Sequence, residues 1–422
     1  MLRMSAKEKH DIIVIGGGPA GIMAAARAAE LGAKTTLLEK NMHLGVKLML
    51  TGGGRCNVTN SADLKGFIAA FGGNGKFLYR ALSVFSGRDL VNFLNTRGVA
   101  TRTDPDGKIF PADDKAASVL AALTAYMDFH RVNVVPGARA EAVVMAQGGG
   151  IEGVKLAGGG LVRGAKVIIA TGGFSYPKTG STGDGYALAK RLGHTITPLR
   201  PGLTALESDE PFIKDLQGLT LQNINIKILV NGKKAAAQDG DLLFTHFGVS
   251  GPRLLIMSGT AVDALAEPGN TVELSLNLAP GLTGEAVNRD IQKYFSANGA
   301  KIFASYLKAT LPDSLAPVFG RRCGIDRNRQ CASITAEERG KVAAMLTGFR
   351  IHLTRPRPLA EATVTRGGVS LKEVDPQTLA SRLVPGLYFC GEVLDLDGIT
   401  GGYNLQEAFS TGYLAGQCAA AA

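Results

Sequence analysis

The segment HDIIVIGGGPAGIMAAARAAELGAKTTLLEK, residues 10–40, constrains the fold more than any other part of the 422-residue chain. Apolar residues 12–15 predict a strand, and a glycine turn follows. An alanine-rich helix then stops at Gly32, and residues 35–38 predict a second strand. That is one βαβ unit of the kind that closes a parallel sheet. Gly16, Gly18 and Gly21 fit GxGxxG between the strand and the helix, and Glu39 ends the second strand. In such a unit Gly16 allows the tight turn and Gly18 lets a diphosphate approach the helix N-terminus. Gly21 lets helix and strand pack closely, and Glu39 accepts hydrogen bonds from ribose hydroxyls.

Further bare segments distinguish a short dinucleotide site from a longer one. TGGGRCNVTN at 51–60, ATGG at 170–173 and GEVLDLDGITGGYN at 391–404 each bring backbone without side chains to some surface. Glycine supplies 55 residues, about 13% against a usual ~7%. Several glycine stations along the chain fit an elongated ligand, FAD in extended form, running from Glu39 past the first helix to a flavin held elsewhere. The Gly52–Gly54 loop then lines the ribityl and flavin portions. A second strand followed by GxGxxG and an acidic partner is absent, so a dedicated NAD(P) domain is not expected.

The balance of 46 Lys+Arg against 36 Asp+Glu leaves a formal charge of +10. Such a balance favours anionic ligands or weak attraction to nucleic acid. No run of five or six basic residues occurs, aromatics are 6%, and no RNP-like run is present. Nucleic acid is therefore not expected as a partner, and a small molecule is. Cys56, Cys323, Cys331, Cys390 and Cys418 are odd in number and scattered, which argues against a disulfide framework and fits a reducing, cytoplasmic setting. Without a CxxC or histidine cluster near Cys323 and Cys331, no metal site is expected. No apolar stretch reaches membrane-spanning length.

Apolar spacing predicts helices around 87–96 and 115–131, the second through Val119, Leu120, Leu123 and Met127. Three β-branched runs over 132–167, broken by GGG at 148–150 and 158–160, read as a small antiparallel meander feeding the buried strand VIIATGG. Composition shifts near Pro198 and Pro201 and again at TRPRP, 354–358. Between these points INIKILV and VELSLNL read as strands, and 285–308 and 335–346 as helices. The chain returns with the buried strand LYFCGEV and ends in a glycine-broken helix from Asn404.

LLEKNMHLGVKLMLTGGGRCNVTN, TGSTGDGYALA, LLFTHFGVSGP, TRGGVSLKEV and LYFCGEVLDLDGITGGYN together resemble the BaiN/RdsA family of NAD(P)/FAD-dependent oxidoreductases. That family includes an aminoacetone oxidase and a bile-acid enone reductase. The resemblance spans nearly the whole chain and implies an α/β fold: a Rossmann-like FAD-binding domain with inserted β-barrel-like and helical domains. The FAD domain is expected over 1–197 plus 355–422, a mainly-β insertion over 198–283 with a return strand near 350, and a helical insertion over 284–354. Glu392 stands where flavoproteins commonly carry Asp in a GD motif, near the ribityl chain.

The candidate cofactor-binding residues fall in five stretches: Gly16, Gly18, Pro19, Ala20 and Gly21; Glu39, Lys40 and Lys47; Gly53, Gly54, Arg55, Cys56 and Asn57; Thr171, Gly172 and Gly173; Gly391, Glu392, Gly401, Gly402, Tyr403 and Asn404. Asp395 and Asp397 could hold ribityl hydroxyls or serve as turn residues. The catalytic candidates are His246, which titrates near neutrality, Cys56 and Tyr176. For Cys56 a packing role is preferred over a redox thiol, because no resolving cysteine accompanies it. Tyr176 and Tyr403 could cover a flavin face or bind substrate. The expected reaction passes hydride between flavin N5 and a small organic substrate, an amine with O2 as acceptor. Two alternatives stand beside it: reduction of an activated C=C bond with NAD(P)H as transient donor, and FAD-assisted RNA modification or RNA binding.

Overall fold

The computed structural model describes residues 9–422, and the chain divides into two compact units. The first comprises residues up to Arg200 together with Leu359–Ala422, and the second comprises Pro201–Pro358.

In the first unit, strands Lys9–Ile15 and Thr35–Glu39 pair in parallel, with Ile12 opposite Thr35 and Ile15 opposite Leu38. Helix Pro19–Glu30 connects them. Strand Leu161–Ile169 lies parallel on the other side of the first strand, with Ile13 opposite Val167. This strand is long enough to serve two neighbours. Its first half pairs antiparallel with Ile151–Leu156, and its second half pairs parallel with Leu387–Phe389. The first of the three β-branched runs, Asn133–Pro136, does not join a meander. It extends the parallel sheet beside Thr35–Glu39 instead, leaving Ala140–Met145 and Ile151–Leu156 as the antiparallel arm.

The last helix, Tyr403–Ala421, runs unbroken through Gly412 and Gly416. These glycines do not interrupt the helix because they are where its backbone touches the first helix. A Cβ at Gly412 would collide with the Ala20 carbonyl oxygen, and one at Gly416 with that of Ala24. On the opposing side Ala24, Ala25, Ala26 and Ala28 are fully buried. Small side chains on both helices set the separation, and dispersion contacts across it hold the two ends of the chain together.

The second unit is built on an antiparallel sheet whose long hairpin, Thr220–Val230 and Lys233–Phe244, pairs onward to Val272–Asn277 and Phe349–Leu353 on one side. On the other side it continues through Gly248–Ser250 and Leu206–Glu207 to Arg355–Pro356. The strands at the two edges are separated in sequence by Thr354 alone, so the chain passes directly from one edge of the sheet to the other. Helix Pro252–Ala266, for which the sequence reading has no counterpart, packs on the hairpin. Residues 285–308 form two helices, Gly284–Ala297 and Phe303–Thr310, and Ala336–Thr347 forms another. The sequence reading treats strands and helices of this insertion as separate domains. Here Ile226, Ile228 and Leu274 of the sheet share one apolar core with Phe295, Phe303, Phe319 and Val342 of the helices.

Two glycine substitutions test this packing with opposite signs. Gly412→Ala forces its new methyl into the Ala20 carbonyl and is expected to cost about 1–3 kcal/mol, read as a lowered melting temperature. Gly340, in helix Ala336–Thr347, has no atom within 4 Å of the position of an added Cβ. Gly340→Ala is therefore expected to be stabilising by up to about 1 kcal/mol. A Gly412→Ala protein as stable as wild type would show that the helices are not held at this distance.

Candidate active site

The first helix begins at Gly18 with no side-chain cap, so the N–H groups of its first turn are offered outward at the positive end of the helix dipole. Gly18 itself is extended (φ −83°, ψ 179°), and an added Cβ would meet no atom within 4 Å. Gly16 and Gly21 are constrained by the chain itself. A Cβ at Gly16 would strike the Ala170 carbonyl, and one at Gly21 the Gly16 carbonyl. The sequence reading assigns Gly21 to helix–strand packing; its tightest contact is with the turn, at Gly16. Pro19 starts the helix where its missing N–H costs nothing.

Glu39 is buried at the end of its strand. Its Oε2 accepts the Gly17 N–H at 2.6 Å and its Oε1 the Asn41 N–H at 2.7 Å. This fixes the carboxylate beside the glycine turn with lone pairs left to accept. Lys40 is committed elsewhere: it donates to the Thr182 hydroxyl and pairs with Asp184 at 3.0 Å, which also holds Arg139 at 3.1 Å.

Chain from the C-terminal end reaches the same helix terminus. At Gly391 an added Cβ would lie 2.8 Å from the Cβ of Ala20, and its N–H donates to Thr411 Oγ1 at 2.9 Å. Next to it, Glu392 Oε2 accepts from Lys47 Nζ at 2.7 Å. Its Oε1 accepts from the Thr365 N–H at 2.9 Å and from Ser175 Oγ at 3.2 Å. Lys47 Nζ also donates to Ser175 Oγ at 2.7 Å. The Thr365 hydroxyl accepts the N–H groups of Phe174 and Ser175 at 2.8 and 3.1 Å. Glu392 thus clamps Lys47 and the Gly173–Ser175 turn, a role its place in a GE dipeptide does not announce. Ser175 and Thr365 were not singled out by the sequence, although each lies in or beside a quoted motif. Thr171 has its backbone against Gly16, but its hydroxyl points at Gly185 and finds no partner.

The loop that opens TGGGRCNVTN is exposed at Gly52 and Gly53. Gly52, Gly53 and Gly54 have φ of 58°, 68° and 90°, and Gly53 faces open space. Arg55 lies over the Phe110 ring at 4.7 Å. Cys56 is fully buried, and burial pushes its thiol up to about 11. Asn57, with its amide turned to satisfy both ends, donates to the Thr59 and Ile109 carbonyls at 2.9 and 3.1 Å. It accepts the Gly402 N–H at 2.9 Å. Asn60 Nδ2 donates to the Gly401 carbonyl at 2.9 Å. The bare loop and the start of the last helix are therefore one assembly. Gly402 is shaped by the chain and not by a ligand: its N–H is taken, and a Cβ there would collide with the Thr59 carbonyl. The outward donors at this terminus are those of the first turn beginning at Tyr403, which carries no side-chain cap.

Tyr403 packs edge-on against Phe67 at 5.1 Å, and burial raises its phenol above the ordinary tyrosine value. Asn404 Oδ1 accepts the Gly398 N–H at 2.8 Å and its Nδ2 donates to the Gly398 carbonyl at 2.9 Å, shaping the turn instead of facing outward. Asp397 pairs with Arg366 at 3.3 Å. Cys390 is fully buried beside Ile169, as a packing residue. Tyr176 is exposed and held at φ 52°, its N–H bonded to the Ala360 carbonyl at 3.1 Å. His246 is exposed in the second unit, edge-on to Phe247 at 4.9 Å. Among the described residues no His, Cys, Asp or Glu cluster fit for a metal occurs, and no helix is long and apolar enough to cross a membrane.

The chain matches the HI0933-like protein Rossmann domain family over residues 10–418. It is 32% identical over 415 residues to a 3-dehydro-bile acid delta(4,6)-reductase of Clostridium scindens, covering 97% of this chain and 99% of that protein. It is 30% identical over 410 residues to a ribosomal RNA dihydrouridine synthase of Escherichia coli, covering 97% and 98%. The second likeness runs against the expectation that nucleic acid is no partner. The solved structure of the 3-ketosteroid-delta4-(5alpha)-dehydrogenase of Rhodococcus jostii RHA1 in complex with 4-androstene-3,17-dione shares the fold. Its TM-score is 0.54 at 15% identity, over 99% of this chain and 98% of that one. By its full-length match and its relatives, the chain belongs to the HI0933-like Rossmann family, the BaiN/RdsA group of FAD-dependent oxidoreductases.

Proposed function

We propose that this protein holds FAD where its two ends meet and reduces a carbon–carbon double bond conjugated to a carbonyl, with a uracil in RNA as the substrate. The observation that carries the cofactor part is Gly18: an extended residue at an uncapped helix N-terminus, facing space that no atom of the chain fills. A diphosphate fits there for reasons of charge and shape. The first turn after Gly18 would hold the diphosphate, Glu39 the ribose hydroxyls, and the turn at 53–57 with the helix start at Tyr403 the far end.

The two curated relatives act, by their names, on a bile acid and on uridine in ribosomal RNA. Chemically these substrates share one feature: the double bond that is reduced is polarised by a carbonyl. When bound, FAD would supply the hydride chemistry for such a bond, with NAD(P)H as the two-electron donor. The chain's own part is to orient the substrate and deliver a proton to the carbon adjacent to the carbonyl. Tyr403 is the assigned donor: a phenol carries its proton at neutral pH, and burial holds this one still more firmly. Tyr176 is assigned to substrate contact. Its left-handed backbone costs about 1–3 kcal/mol in a residue other than glycine, and its exposed ring offers a face for a base to stack on. Neither relative's name supports amine oxidation.

The surplus of ten positive charges favours the RNA substrate, because association with a polyanion gains from counterion release. A second reading, a free apolar enone, is favoured by the exposed side chains of Met49 and Leu50 beside the glycine loop.

The test is incubation of the FAD-loaded protein and NADH or NADPH with unmodified ribosomal RNA, or with a 3-oxo-Δ4 steroid acid. A uridine heavier by two hydrogens is the expected product. Reduction of the steroid alone would move the assignment to the second reading, and amine-driven bleaching of the flavin with neither product formed would overturn both. Gly18→Val supplies a control: its backbone conformation suits valine and the added Cβ meets no atom of the protein within 4 Å. The variant is expected to fold with wild-type stability and to bind no FAD. Full FAD occupancy in it would displace the diphosphate from this terminus.

The thiol is tested separately. With Cys56 at about 11, the thiolate fraction at pH 8 is about 10⁻³. Iodoacetamide is therefore expected to leave the fully buried Cys56 unlabelled in the folded protein while the half-buried Cys418 reacts first and Cys323, pushed up to about 12 by burial, stays slow, as read by peptide mass mapping. Preferential labelling of Cys56 would restore it as a redox residue.

A further inference from the structure

One titratable side chain beside the proposed cofactor cradle has no part in the reading above. Glu407 lies in the second turn of the last helix, 3% exposed. Its Oε1 is 3.3 Å from Thr411 Oγ1. That hydroxyl directs its single proton to the Glu407 backbone carbonyl at 2.7 Å and accepts the Gly391 N–H at 2.9 Å. The hydroxyl can also turn its proton to Oε1, a contact that by itself favours the ionised carboxyl; burial and the like charge of Glu392 oppose it. Through Thr411 and Gly391 the carboxyl is thus two hydrogen bonds from the residue packed on Ala20, in the first turn of the first helix.

No cation among the described residues compensates Glu407. From the end of strand Leu387–Phe389 it faces Cys390, fully buried, and Glu392, whose like charge is already matched by Lys47. The face of the first helix over residues 19–26 carries no titratable side chain, and neither does the strand Thr59–Asn60. In the short helices that also pack on the last one, Tyr79, Arg80, Arg88 and Asp89 are exposed. Burial, reinforced by Glu392, raises the carboxyl to about 8.

We infer that Glu407 is a positioning residue that must be protonated for the diphosphate of FAD to seat, so that loading of the cofactor takes up a proton when the apo protein is ionised at this position. The inference rests on the FAD reading above. Ionising Glu407 would set a second negative charge, besides that of Glu392, behind Gly391, next to the place where the diphosphate's own charge would sit. The sign follows by linkage. A bound anion raises the carboxyl pKa further, so affinity is constant below the apo pKa and falls as pH rises through it.

The experiment is titration of apo protein with FAD, followed by FAD fluorescence, from about pH 6.5 to about pH 9.5, in wild type and Glu407→Gln. Wild type is expected to lose about tenfold in affinity for each pH unit above about 8, while Glu407→Gln binds with the same affinity throughout. A wild-type profile that is flat, or a Glu407→Gln profile that falls in parallel, overturns the inference while leaving the FAD reading intact. Folded wild type that binds no FAD at any pH removes both. Calorimetry of FAD binding in two buffers of different ionisation enthalpy needs no variant. Uptake approaching one proton per FAD above about pH 8.5, and none near pH 6.5, supports the inference, and no uptake at either pH overturns it.

Discussion

The contact between the first and last helices is the constraint on which the rest of this molecule depends. Gly412 and Gly416 bring one helix backbone against the carbonyl oxygens of Ala20 and Ala24 on the other, and a single methyl group on either glycine would push them apart. Through this contact the C-terminal segment Leu359–Ala422 joins the N-terminal βαβ unit, and strand Leu387–Phe389 finds its place beside Leu161–Ile169. Without it Gly391 could not lie against Ala20, and the helix terminus at Gly18 would be an ordinary uncapped end. The second unit, with its own core of sheet and helices, leaves and re-enters the first without sharing that core.

Around this junction the polar groups divide into two kinds. Some hold the protein's own chain: Glu392 clamps Lys47, Ser175 and the Thr365 backbone, Asn57 ties the glycine loop to Gly402, and Lys40 is bound to Asp184. Others face outward with capacity to spare: the first turn after Gly18, the carboxylate of Glu39, and the helix start at Tyr403. The first kind makes the second rigid. Preorganised N–H donors at helix termini lose no conformational entropy when an anion arrives, which is the physical advantage of placing a dinucleotide there. Glu407 lies buried behind this junction, reaching Gly391 through Thr411.

Much of the first unit was legible because its signals are local. A glycine turn between an apolar run and an alanine-rich helix, with an acid at the end of the next strand, specifies a βαβ unit whatever follows. The helices at 87–95 and 116–129 were likewise given by periodicity. What could not be read was partner choice. Residues 133–136 have the composition of a meander strand yet join the parallel sheet. Glycines that look like helix breakers are contact residues at Gly412 and Gly416. Helix Pro252–Ala266 was hidden by its serine, glycine and threonine, residues of modest propensity overridden by packing on the hairpin. At the site, Gly18 was assigned on its motif alone, whereas Ser175, Thr365, Thr411 and Glu407 could not have been. Their roles come from residues between 4 and 217 positions away, so lying in or beside a motif, as Ser175 and Thr365 do, does not reveal what they hold.

The central claim is that both ends of the chain form one cofactor cradle. Amide hydrogen exchange of the apo protein with and without FAD tests it most directly. Protection gained together at the first turn after Gly18, at residues 53–57, at Gly391 and at the helix start following Gly402, with the core of the 201–358 unit unchanged, is the result expected. Protection confined to one end of the chain, or found chiefly within residues 201–358, would contradict it.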